Sequence, residues 1–110
     1  MARKLEKREW KAFLNQVSKA LTGKRAEIEI GSLAIGQQIE AEWLPLIGLA
    51  YDPKSDQIEI ALENLDHLIS RPRELYFEEE RGQLSSLAII DSEGTKQIVR
   101  LKDPLLLPSA

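Results

Sequence analysis

One stretch of the chain, NLDHLISRPREL from Asn64 to Leu75, brings its only histidine together with an acid and two guanidinium groups. Asp66 precedes His67, and Arg71 and Arg73 follow on either side of Pro72. A carboxylate that orients an imidazole raises its basicity, and a neighbouring guanidinium can hold an anion. Together they would form a minimal acid–base centre for an acidic substrate. Against that reading, adjacent residues on a helix point about 100° apart, so Asp66 and His67 would not face each other. Asn64 or Asp66 can instead cap a helical turn through Leu68 and Ile69 that Pro72 ends. We therefore take Asp66, His67, Arg71 and Arg73 as a candidate binding loop and assign no catalytic residue, since function concentrates on loops.

The rest of the chain adds little chemistry. It contains no cysteine, which excludes disulfides, thiolate metal sites and cysteine nucleophiles. With a single histidine, zinc or copper would lack its usual ligands. The six glycines are dispersed and form no phosphate-binding loop, and no serine occupies a GxSxG elbow. Glu27, Glu29, Glu40 and Glu42 could in principle meet a hard cation, but strand spacing makes them a solvated ladder rather than an enclosing loop. The reading is no metal and no cofactor.

The elements that must position these residues follow from periodicity. Trp10, Phe13, Leu14, Val17 and Leu21 recur at spacings of three and four, which predicts a helix over about residues 6–22. Gly23 stands where a left-handed residue would end it. In RAEIEI and QIEAEW, apolar residues alternate with glutamates, as in two strands with one buried face. Keeping both apolar sets inward requires Ile28 to oppose Ile39 or Ala41. In the Ala41 register Glu29 would meet Glu40. Pro45 interrupts the alternation, as at an edge or bulge, and Gly48 in the following LIGLAY permits a close approach. Asp52–Asp56 is a turn before the alternating QIEIAL. ELYFEE reads as a strand with Tyr76 opposite Leu75 and Phe77 in facing. SLAII and TKQIVRL form a hairpin around Gly94.

The expected fold is α+β: an N-terminal helix packed on a curved, mainly antiparallel sheet of about six strands, open or barrel-like. A chain of 110 residues fits one domain, with the sheet over about 25–102 and an extended tail over 103–110. Trp10 and Trp43 are both expected in the core, where truncation to alanine costs ~3–5 kcal/mol. The net charge of -3 hides a split. Residues 1–25 carry +6 and the remainder -9, a distribution that could pair one copy head-to-tail with another. No apolar run approaches the ~20 residues of a membrane helix, and no unbroken apolar run follows the basic N-terminus as a secretory signal requires. The expected setting is cytoplasmic, away from membranes.

The segments LEKREW, AEWLPLIGLAYDPK, LDHLISRPRE and QIVRLKDPLLLP resemble a family of short bacterial proteins catalogued as a domain of unknown function. The resemblance covers essentially the whole chain and implies no activity, cofactor or partner. A helix before a bent sheet with a long second strand is also similar to Sm-like RNA-binding proteins, a likeness of fold that does not carry function. The leading functional expectation is a non-catalytic interaction or scaffold domain that associates with itself or another protein. The alternatives are RNA or single-stranded nucleic-acid binding through the basic helix and its aromatics, and a small-molecule enzyme centred on His67.

Overall fold

The computed structural model describes residues 2–19, 24–32 and 36–106. Strand β1 (Ala2–Leu5) leads through a 3-10 turn (Lys7–Glu9) into helix α1 (Trp10–Lys19). Seven strands follow: β2 (Arg25–Ser32), β3 (Gly36–Asp52), β4 (Gln57–Leu62), β5 (Leu65–Ser70), β6 (Pro72–Glu80), β7 (Gln83–Asp91) and β8 (Lys96–Leu106). All pairings are antiparallel, in the order β1-β6-β7-β8-β2-β3-β4-β5. The α+β class holds, but the sheet has eight strands rather than about six and is not closed into a barrel. Among the described residues its two edge strands are β1 and β5, neither with a second partner.

The additional strands are β1 and β5. The basic ARKL carries no alternation and becomes a strand by pairing with β6, Leu5 opposite Leu75. The helical turn expected through Leu68 and Ile69 does not form. Leu65, His67 and Ile69 instead alternate inward on β5, and Asn64, with φ of 64°, turns the chain back on β4.

Strand β3 bends because it carries extra residues relative to its partners. Ile28 opposes Ala41, one of the two expected registers, but Glu29 then opposes Ile39 rather than Glu40. A second irregularity places Leu44, not Trp43, opposite the buried Ala26. A third leaves Ile47 unpaired between Leu46 and Gly48, 65% exposed. Each bulge flips the side-chain phase. Leu44 and Leu46 therefore face the core, and after Ile47 so do Leu49 and Tyr51.

The same phase shift corrects the expectation for Trp43. It has a left-handed φ of 53° and is only half-buried, outside the core cluster, with the Lys102 ammonium 5.9 Å from its ring centroid. Trp43→Ala should therefore cost less than about 1.5 kcal/mol, because the removed area leaves no large cavity. Urea denaturation will show whether its midpoint stays near that of the wild type.

The core is one continuous cluster. Helix α1 contributes Trp10, Leu14 and Val17, all fully buried, while Phe13 lies with its ring 5.1 Å from Phe77. Leu21 and Gly23 lie outside the described residues. The Trp10 indole N–H donates to the Leu5 carbonyl at 3.1 Å, and its ring meets Tyr51 edge-on at 5.2 Å. The helix approaches β3 closely at Gly48, where the Ser18 hydroxyl accepts the Leu49 N–H at 3.1 Å. The Asp91–Lys96 turn is held by the Asp91 carboxylate, which accepts the Glu93 and Thr95 N–H groups, and Gly94 takes a positive φ of 81°.

Candidate functional site

The four residues of the expected binding loop fall on β5 and on the corner joining it to β6. Asp66 is exposed on the outer face of β5, while His67 points to the inner face and pairs with the buried Gln97 of β8. Alternation along the strand thus puts Asp66 and His67 on opposite sides of the sheet. Asp66 does not orient the imidazole. Its nearer acidic neighbour is Glu59 on β4, whose carboxyl is raised above its usual value first by the like charge of Asp66 and then by desolvation.

Arg71 makes the corner. It has a left-handed φ of 51°, its N–H donates to the Asp56 carbonyl at 2.9 Å, and its carbonyl accepts the Ser92 N–H at 2.9 Å. With its backbone secured, the guanidinium is left at the surface, 3.9 Å from an equally exposed Glu93. Arg73 is the extra residue of a bulge between Pro72 and Glu74, and it too is exposed. No ion pair of Arg73 occurs among the described residues. Together with Lys7, Asp56 and Ser92, the two arginines line an open cleft of about 330 Å³.

One wall of this cleft is a hydrogen-bonded group that ties the N-terminal segment to the sheet. The Lys7 ammonium lies 3.2 Å from the Asp56 carboxylate, which also accepts the Tyr51 hydroxyl at 2.8 Å. The Tyr51 bond, followed by Lys7, holds the Asp56 carboxyl below its usual 3.8. Burial, then Asp56, raises the Tyr51 hydroxyl above 10.0. The signs give opposite pH limits. Asp56 stabilises the fold above its unfolded value, and this contribution is lost as pH falls through the lowered folded value. Tyr51 stabilises it fully below its unfolded value, with loss as pH rises through the raised one. Since the Lys7–Asp56 pair is exposed, its share is at most ~1 kcal/mol. Asp56→Asn should flatten the acid limb of a plot of denaturation midpoint against pH, leaving the neutral midpoint only slightly lower.

The two sheet edges differ. Edge β1 presents the exposed cations Arg3 and Lys4, each engaged with a glutamate of β6 at 3.6 and 3.4 Å. Charged side chains, lysine above all, are a usual guard against strand addition. Edge β5 has an unbroken register with β4 and carries no lysine, proline or bulge. Its outward side chains are Asp66, Leu68 and Ser70, and Leu68 is 54% exposed.

The helix aromatics that a nucleic-acid platform would need are committed to packing, Trp10 against Tyr51 and Phe13 against Phe77. Among the described residues, no cluster of three or more His, Cys, Asp or Glu is placed to hold a metal ion. No helix among them is long and apolar enough to cross a membrane.

Across residues 1–110 the sequence matches the model of a family of unknown function, DUF5335. The chain belongs to this family. It is also 42% identical over 105 residues, 94% of this chain and 95% of the relative, to a protein of the bacterium Aquifex aeolicus (strain VF5) described as uncharacterized. No solved structure matches. Spacing within the β6 segment does not show the bulge that exposes Arg73, nor does the Asn64–Leu75 stretch by itself show that β5 is an edge strand. The alternation of Leu65, His67 and Ile69 was the available signal for the edge.

Proposed function

We propose that this protein is a non-catalytic interaction domain of the cytoplasm that binds protein, including further copies of itself, through the β5 edge and the adjoining arginine corner. The observation that carries this reading is an edge strand with no lysine, proline or bulge and with an exposed leucine at its centre. Such an edge offers unpaired backbone groups to any extended segment, the basis of recognition by strand addition. Arg73, exposed and without an ion pair among the described residues, and the loosely held Arg71 beside it favour an acidic group on the incoming segment. Asp66 and His67 lie on opposite faces of β5, which supports the interaction reading over acid–base chemistry at His67.

Sedimentation velocity over a series from low to high micromolar concentration tests the reading. The expected outcome is a reversible species heavier than the 12.5 kDa chain that grows with concentration and weakens with added salt, as exposed charge pairs require. A single 12.5 kDa species throughout would overturn the self-association.

A further inference from the structure

We infer that the occupant of the β5 edge is β5 of a second copy, running antiparallel with the two-fold axis at Leu68. This rests on the interaction reading above and names its partner. The backbone phase of β5 is set by the Arg71 N–H bond to the Asp56 carbonyl, which makes those two residues a hydrogen-bonded pair. Such pairs alternate along an antiparallel ladder. In the observed register Ile58–Ile69, Ile60–His67 and Leu62–Leu65 are then the bonded pairs. Leu65, His67 and Ile69 turn their backbone groups toward β4, and Asp66, Leu68 and Ser70 turn theirs toward the free edge.

An isologous partner must use the same three residues. With the axis at Leu68, Asp66 meets Ser70 of the other copy and Leu68 meets its counterpart, so all three residues pair and six backbone hydrogen bonds form. Moving the axis to residue 67 or 69 leaves one of the three without a partner in the other β5. At residue 69 it would set Asp66 against Pro72, which has no N–H to give. Placing it at residue 66 would put two aspartates face to face, and like charges directly opposite are destabilising.

The charges support the same axis. The β5 hairpin is acidic at its start, with exposed Glu63 and Asp66, and basic at its end, with Arg71 and Arg73. Antiparallel pairing about Leu68 lays the acidic end of each copy along the basic end of the other. The arginine cleft would receive the carboxylate of the partner's turn, and the crowded Glu59–Asp66 pair would gain nearby cations. Leu68 is the exposed apolar residue at the centre, where its counterpart covers it. A contact of two six-residue strands is small, which places the pair among weak and reversible associations.

The absence of native cysteine makes disulfide trapping a clean test of register. Directly opposed, hydrogen-bonded residues have Cα atoms about 5.5 Å apart, inside the range a disulfide spans. Under mild oxidation at high micromolar concentration, Leu68→Cys should cross-link to itself. A mixture of Asp66→Cys and Ser70→Cys should yield the mixed dimer in preference to either homodimer. If the wild type sediments as a dimer but these cysteines do not cross-link, or Asp66→Cys traps chiefly with itself, the register is overturned and self-association stands. If the wild type remains a monomer, both the inference and the reading beneath it fall.

Discussion

Replacing Trp10 by alanine is expected to destabilise the protein by about 3–5 kcal/mol, the range for large aromatics removed from cores. The indole is fully buried at the start of α1, packs edge-on against Tyr51 and donates its N–H to the Leu5 carbonyl. The substitution would open a cavity between helix and sheet, break an aromatic contact and remove the tie between helix and β1. Against a total stability of ~5–15 kcal/mol for a domain of ordinary size, the loss is large. Chemical denaturation should show a sharply lowered midpoint for Trp10→Ala beside a nearly unchanged one for Trp43→Ala. Equal losses would contradict the packing described for β3, and a silent Trp10 would mean the helix is not part of the core.

Gly48→Val should have the next largest effect, about 2–4 kcal/mol. A Cβ at Gly48 would lie 3.1 Å from the Ser18 hydroxyl oxygen, and the two further methyl groups have to displace the end of α1. Overpacking of this kind costs ~1–3 kcal/mol. The Leu49 N–H would also lose the Ser18 oxygen, which adds ~1 kcal/mol. Ser18→Gly in the same chain should recover part of the overpacking cost but not the hydrogen bond. If the double variant is no more stable than Gly48→Val alone, the close approach of helix and strand is not the cause.

These two sites show what was legible in the sequence. The helix stripe, the alternating strands and the close approach at Gly48 follow from local patterns, because each depends on spacing along a single element. The place of Trp43 does not. It depends on extra residues in β3 that shift the side-chain phase, and a bulge is a relation between two strands. Strand β5 is hidden in the sequence for a related reason. Asn64 and Asp66 suit a helix cap as well as a tight turn, and only the pairing with β4 decides between them. His67 then takes an inward position that a polar residue rarely holds, which Gln97 makes tolerable by pairing with it. Of the candidate site, Arg71 and Arg73 do share one cleft, whereas Asp66 and His67 are parted by the sheet.

The most direct measurement of the central claim is a charge exchange across the proposed pair, read by sedimentation equilibrium. Glu63 and Arg73 are both exposed and sit at opposite ends of the β5 segment, so substituting either should leave the fold intact. Glu63→Arg alone and Arg73→Glu alone should each weaken association severalfold, by setting like charges against one another. The double variant should restore it, because the exchanged charges again face their opposites in the second copy. Three variants that associate as the wild type does, or a double variant weaker than either single one, would contradict the antiparallel β5 pairing.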